Sequence, residues 1–571
     1  MVNVEQSIIN KYPVYGDYPK LIRNSTTYIL KKLFFQNEIN NFLEKYNSLE
    51  GFDFIEAVLE YFNFTYTLSS FDRKNIPSSG RVVIIANHPL GALDALSLIS
   101  MVREVRSDIK IVANEMLMQV EQLKNILIPV DNMSSSSTKE QIKAIHKSLE
   151  EDKAIIIFPS GEVSRARPTG IKDTHWQKGF LRFAKKSNSP ILPVYIEAKN
   201  SAMFYMLSTI NKKLSTLFLV REMFLQRSKG VDFKVGELIP FKSILRADLS
   251  DKVTINLLKK HLYRISKGKK GLFTTQTSVA HPESRQEIKA ELKNSKLLGH
   301  TSDNKKIYLY EYTKNSTLLK EIGRLREYTF RKVEEGTGAK RDTDKYDKYY
   351  KHIVLWDDEN LEIVGAYRIG ESNYIKEYFE NEGFYSNRLF EFGEGFEKYL
   401  SNSIELGRSF VQPKYWGSRA LDYLWQGIGA YLAYNEHIRY MFGPVSLSNS
   451  YPKVAKNFII TFYKLYFGSI EPLVKAKDEF FMSEREKAEV LSEFDGNNYA
   501  KDFKYLKKRL SHLDFNVPTL YKQYADLCED GGIEFVDFNV DRNFADCVDA
   551  FIVVDINKIK QKKRDRYIKK F

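Results

Sequence analysis

Cysteine is nearly missing from this sequence: 571 residues hold two, Cys528 and Cys547. Two thiols cannot frame a disulfide-stapled fold or a structural zinc site. Histidine is sparse as well. Nine scattered copies with no His/Cys grouping argue against a metal site, so no metal is expected. No run of 18 uncharged apolar residues occurs, so no transmembrane helix is expected. The opening stretch, MVNVEQSIINKYPVYG, lacks the basic and then apolar pattern of a secretion signal. A cytoplasmic, reducing location is the expectation, with peripheral contact to the inner face of the membrane left open. Internal repeats and low-complexity tracts are also wanting.

What is present suits folded protein. Hydrophobic residues make up 43% and charged residues 28%, which excludes a disordered, collagen-like or coiled-coil chain. The length predicts two or three domains at roughly 100–200 residues each. Charge is uneven. Residues 1–270 carry 40 basic and 27 acidic side chains, so they hold +13 of the net +14. The last fourteen residues, KIKQKKRDRYIKKF, hold eight basic ones. Such a surface suits nucleic acid, anionic lipid or an acidic protein. No module pairing a basic patch with stacking aromatics is found, so nucleic acid is not expected.

Apolar periodicity predicts a helical region over 1–75. Short, continuously apolar runs then alternate with helical stretches: RVVIIA (81–86), KIVAN (110–114), ILIPV (126–130), AIIIFP (154–159) and ILPVYIEA (191–198). That pattern predicts an α/β domain over 76–265 with a buried sheet. A polar stretch with Gly and Pro over 266–298 reads as a linker. Residues 299–555 read as a second α/β domain with long strands in a mixed sheet, and 556–571 as a basic tail.

Asn87-His88-Pro89-Leu90-Gly91-Ala92-Leu93-Asp94 directly follows a buried run. A histidine at a strand end with a carboxylate soon after makes a general-base pair, the carboxylate fixing the imidazole tautomer. A capping Asp beside a structural His is the plainer alternative. A second stretch, Phe158-Pro159-Ser160-Gly161-Glu162-Val163-Ser164-Arg165, also follows an apolar run, with Arg167, Lys172, Trp176 and Lys178 behind it.

Together these blocks resemble the glycerolipid acyltransferases over about residues 75–250, in the hemolysin-like branch that includes aminolipid O-acyltransferases. The resemblance implies that His88 is the base and Asp94 its orienter. It places acceptor or donor binding at Ser160, Gly161, Glu162, Arg165, Arg167 and Lys178. Departures exist: five residues separate His88 from Asp94 where the family has four, and Ser160 and Glu162 replace Glu and Thr. A further family block is carried only weakly by Ile128-Pro129-Val130-Asp131-Asn132. In the family these blocks bind the acceptor's phosphate, so their alteration implies an acceptor without glycerol phosphate.

The second half carries Asp344, Asp347 and His352, then Ile404-Glu405-Leu406-Gly407-Arg408, then Pro413-Lys414-Tyr415-Trp416-Gly417-Ser418-Arg419. A strand, a Gly-containing basic loop and a helix make an anion site. This set resembles the N-acyltransferases of the acetyltransferase (GNAT) superfamily, near the ornithine-acyl carrier protein N-acyltransferases. The resemblance implies Glu405 as base, with His352, Arg408, Lys414, Gly417 and Arg419 at the substrates. Glu405 with Arg408 also reads as a structural ion pair.

Both resemblances in this order are similar to the bifunctional ornithine lipid synthases. They imply N-acylation of ornithine by a 3-hydroxyacyl group, then O-acylation of the lyso-lipid. Glycine or another amino acid, or a single lysophospholipid acyltransferase activity, are the alternatives. The implied co-substrate is the phosphopantetheine thioester of acyl carrier protein or CoA, with no bound cofactor. Implied partners are acyl carrier protein, a lyso-aminolipid and an anionic membrane surface. The apolar segment 202–225, with Lys212 and Lys213, reads as interfacial or as ordinary core.

Overall fold

The computed structural model describes residues 3–11, 13–114, 120–130, 139–168, 170–210, 215 and 218–570. Asp131, Asn132, Lys212 and Lys213 lie outside the described residues. The chain forms two compact units, Met1–His281 and Pro282–Phe571.

The first unit holds β1 (Thr65–Leu68), β2 (Val82–Ala86), β3 (Ile109–Asn114), β4 (Leu127–Val130), β5 (Ala154–Ile157), β6 (Arg165–Arg167), β7 (Gly170–Lys172), β8 (Ile191–Glu197) and β9 (Gly230–Val235). Seven of them build one sheet in the order β1-β9-β8-β2-β5-β3-β4, and β6 with β7 makes a separate hairpin. Strands β8, β2, β5, β3 and β4 run parallel. VVIIA and AIII offer apolar side chains to both faces, so β2 and β5 are buried throughout. Val82, Ile84 and Ala86 meet the helices Gly51–Tyr61 and Ala92–Arg103, while Val83 and Ile85 meet Lys139–Glu150, Gly179–Ser187 and Asp251–Ile265. Each such side chain contributes roughly 1.5–3 kcal/mol of burial. Parallel pairing also brings the carboxyl ends of β2 and β5 together, where open α/β sheets place their sites.

Two sequence expectations change here. Residues 1–75 are not all helical, because Thr65–Leu68 adds an edge strand beside β9. Its TYTL alternates exposed and half-buried positions, a period of two that is too short to stand out from sequence. Residues 266–298 are no free linker. Gln276 pairs with Leu238, and Ser278 donates to the Asn75 carbonyl at 2.6 Å, within the first unit. In the second unit, helix Arg285–Lys293 presents Glu291 to the Thr317 amide at 2.6 Å.

The second unit holds β10 (Lys296–His300), β11 (Lys306–Tyr310), β12 (Lys351–Asp357), β13 (Glu362–Glu371), β14 (Phe390–Phe392), β15 (Ser403–Val411), β16 (Tyr440–Leu447), β17 (Val474–Ala476), β18 (Ile533–Asp541) and β19 (Cys547–Asp555). Eight of them form a mixed sheet in the order β10-β11-β12-β13-β15-β16-β19-β18. All its pairs are antiparallel except β15 with β16. Ile353 and Leu355 face the helix Ala420–Tyr434, while Val354 and Trp356 face the helix Thr317–Lys332.

The basic end is not a loose tail. Its helix Gln561–Tyr567 lies on Ala420–Tyr434, with Tyr567 and Arg566 bonded to Asp422 at 2.8 and 2.7 Å, and Lys570 to Glu436 at 2.8 Å. A Cβ at Gly429 would stand 1.9 Å from the Tyr567 carbonyl oxygen, so that packing requires glycine.

Candidate active sites

In the first unit His88 sits just past β2. Its Nδ1 lies 3.1 Å from Asp94 Oδ1, at ion-pair distance but without the alignment of a full hydrogen bond. Asp94 is fully buried at the start of helix Ala92–Arg103, where its carboxylate accepts from the Leu90 and Gly91 amides at 2.8 and 3.2 Å. The carboxylate therefore cannot swing away. The ring stacks on Phe158, the residue past β5, with centroids 4.0 Å apart. Burial pushes the imidazole pKa down, but the Asp94 charge at that short distance, with Asp173 behind, outweighs it and holds the pKa above the ordinary value. With Nδ1 turned to Asp94, Nε2 is left to take a proton.

Asp173 was not singled out in the sequence, although it organises the whole corner. Its carboxylate accepts from the His88 amide at 3.2 Å, Ser164 Oγ at 2.6 Å and Trp176 Nε1 at 2.8 Å. The only signal was its place three residues before Trp176. Asn87 extends the sheet, since its side chain both donates to and accepts from the Ile196 backbone at 2.8 Å.

The Phe-Pro-Ser-Gly block is a turn beside this pair. Ser160 Oγ donates to the Glu162 carbonyl at 2.6 Å, and the Gly161 amide to the Phe158 carbonyl at 3.0 Å. The Gly161 amide is thus spent inside the turn. Glu162 accepts from Thr174 Oγ1 at 2.5 Å. Arg165 is buried: it donates to Ser215 Oγ at 2.7 Å and stacks over Phe204, so it braces the helix Ala202–Ile210. Arg167 and Lys178 are exposed.

In the second unit β15 and β16 pair only over Ser403–Glu405 and Tyr440–Phe442. Beyond that they part. The fork is tight at its base, where a Cβ on Gly443 would fall 2.0 Å from the Leu406 carbonyl oxygen. A bulge at Arg408, with φ +50°, shifts the register of β15 against β13 and bends the strand away. Between the strands lies a cleft lined by Arg408, Ser446, Tyr385, Tyr524, Phe544 and Asp549 among others.

Three expectations for this half are corrected by that geometry. Glu405 does not line the cleft. Its buried carboxylate is consumed by the Ser386 amide and hydroxyl, both at 2.6 Å, the Tyr385 amide at 3.1 Å and the Tyr350 hydroxyl. It anchors the 384–388 turn. Arg408 does not pair with Glu405: its Nε stands 3.4 Å from Asp342 Oδ2, and its guanidinium lies over Tyr385 and Phe544. His352 is fully buried, its Nδ1 3.1 Å from the Arg326 guanidinium, and burial with that cation pushes its pKa down to about 3. It is a neutral frame residue. The Asp-x-x-Asp pair is frame too, because Asp347 binds Arg326 at 2.8 Å and Asp344 binds Arg368 at 2.6 Å.

The loop before helix Ala420–Tyr434 turns at Gly417, with φ +77°. Its cations have partners: Lys414 contacts Glu362, and Arg419 stands 3.6 Å from Asp422. Asp549 lines the cleft.

Residues 16–270 match the Acyltransferase family and residues 325–426 the Acetyltransferase (GNAT) domain family. The chain is 31% identical over 308 residues to glycine N(alpha)-acyltransferase of Bacteroides thetaiotaomicron, covering 51% of this chain and 90% of that protein. It is 28% identical over 250 residues to lyso-glycine lipid O-acyltransferase of Phocaeicola vulgatus, covering 43% and 88%. It is 32% identical over 157 residues to L-ornithine N(alpha)-acyltransferase of Rhizobium meliloti, covering 26% of this chain and 49% of that protein.

Proposed function

The chain belongs to the acyltransferases, with a lipid-acyltransferase domain followed by a GNAT N-acyltransferase domain, and from that premise we propose that it builds an aminolipid in two steps. The second unit joins a 3-hydroxyacyl group to the α-amine of an amino acid. The first unit then acylates the 3-hydroxyl of that product. One observation carries the reading: one chain holds a His88–Asp94 pair in one unit and a forked-strand cleft in the other. The product of the second site has the nucleophile that the first requires.

In the O-acylation step His88 Nε2 takes the hydroxyl proton as the oxygen attacks the thioester carbonyl. The C–O bond forms, the C–S bond breaks, and the imidazolium returns the proton to the leaving sulfur. Asp94 steadies the imidazolium charge. In the N-acylation step the donor's pantetheine arm enters between β15 and β16, where its amides meet strand edges that the two strands do not offer each other. Acyl carrier protein is the proposed donor carrier, matched to the basic first half.

Glycine is the proposed amino acid, supported by similarity that spans nearly all of a glycine enzyme. Ornithine is the second reading, supported by the 157-residue similarity to an ornithine enzyme. No helix among the described residues is long and apolar enough to cross a membrane. We place the protein peripherally on lipid through exposed Leu21, Ile22, Tyr28 and Ile29, interspersed with Lys20 and Lys32.

The test is expression in a bacterial host without aminolipids, followed by mass spectrometry of total lipid. A doubly acylated glycine species is expected. His88→Ala should replace it with the monoacyl species. An ornithine head group would select the second reading, and no new lipid with donor and amino acid present would end both.

A further inference from the structure

The cleft of the second unit holds a carboxyl group with almost nothing to bond. Asp549, on β19, is 6% exposed and lines the cleft. Among the described residues its side chain accepts one hydrogen bond, from the Cys547 thiol 3.9 Å from Oδ2, a weak donor. Behind it Glu335 is 9% exposed and accepts one hydrogen bond, from Ser446 Oγ at 3.2 Å. On the cleft wall Arg408 holds Asp342 only at 3.4 Å, and its Nε has no aligned hydrogen bond. Burying carboxyls without donors is costly unless something arrives to pair with them. An acid pair facing a guanidinium complements a zwitterion, with ammonium to the acids and carboxylate to the arginine.

We infer that Asp549, backed by Glu335 and faced by Arg408, binds a free α-amino acid in the forked cleft and takes the proton from its ammonium group. This rests on the N-acyltransferase reading above and names its base. Asp549 takes one proton from R–NH3+. The nitrogen attacks the thioester carbonyl, the C–N bond forms and the C–S bond breaks. The second proton leaves the nitrogen for the departing sulfur, and Asp549 returns its own to solvent.

The surroundings suit the task. The charged and titratable groups around Asp549 are Asp541 on β18, Glu335, Arg408, Arg388, Cys547, Tyr385 and Tyr521. Burial first, then the Asp541 and Glu335 charges, push the Asp549 carboxyl up to about 8, against the pull of both arginines. Burial likewise pushes Glu335 up to about 7. A base poised near neutrality meets the proton of an amine with little mismatch.

The test uses the purified full chain with glycine and a 3-hydroxyacyl thioester of acyl carrier protein. Asp549→Asn should cut kcat/KM for glycine near neutral pH by about a hundredfold or more, with KM for the thioester changed less than about twofold. Glu335→Gln should fold whatever Asp549→Asn does. Removing its charge should lower the Asp549 pKa and move the acid limb of N-acylation to lower pH, which a purely structural residue would not do. Asp549→Asn within about threefold of wild type across the pH range, or an unmoved limb in Glu335→Gln, overturns the inference. Calorimetry with glycine alone separates the two readings. Binding that Asp549→Asn abolishes, in a wild-type chain that acylates no amino acid, sinks the N-acyltransferase reading and keeps the subsite. Acylation that survives Asp549→Asn does the reverse.

Discussion

In the proposed O-acylation His88 must be neutral to accept a proton, so the charges around it set the working pH of that step. Its pKa lies above the ordinary value because Asp94 and Asp173 outweigh burial. Activity should therefore climb through an acid limb above the ordinary histidine range of about 6.5. The stability sign is opposite: the His88–Asp94 interaction contributes fully below the unfolded histidine pKa and is lost as pH rises through the folded one. Asp94→Asn should move the activity limb to lower pH and lower its plateau, read from the pH dependence of kcat/KM for lyso-lipid. Asp173 has a different part. Asp173→Ala leaves the buried Trp176 Nε1, Ser164 Oγ and His88 amide without their acceptor. It should cost about 3 kcal/mol or more of the first unit's stability, measured by denaturant unfolding followed by Trp fluorescence. His88 and Asp94 were legible because their spacing announces a chemical pair. Asp173 was not, since the His88 amide it holds lies 85 residues away along the chain.

At the scale of elements, the second site depends on two strands that refuse to stay paired. β15 bends at the Arg408 bulge, and β16 carries Gly443 and Pro444 in its middle. That Gly-Pro pair breaks the continuous apolar run by which a buried strand shows in sequence. Gly443→Ala would drive a Cβ to 2.0 Å from the Leu406 carbonyl oxygen. It should destabilise the second unit by about 3 kcal/mol and abolish N-acylation while O-acylation of added lyso-lipid persists, measured on the same preparation. Glu405 shows the converse. Its strand was read correctly, but four hydrogen bonds spend its carboxylate on a neighbouring turn.

For the whole molecule, two compact units divide at residue 281, and each relative named above that nearly spans its own length takes about half of this chain. The halves 1–281 and 282–571, produced separately, should each fold and each retain one half-reaction. Mixed together they should restore the doubly acylated lipid, and circular dichroism with the two separate assays would check it.

The order of apolar strands, the two-domain plan, the mixed second sheet and the acyltransferase class all follow from the sequence by itself. They depend on local periodicity and on motifs whose residues are neighbours in the chain. Only the tertiary structure decided which charged groups face a substrate. Glu405 and His352 turned inward to become framework, the basic C-terminal segment spent part of its charge on Asp422, Glu436 and Asp526, and Asp549 came to stand in the cleft. The reason is physical. A buried charge is defined by partners tens to hundreds of residues away, and no spacing rule carries that information.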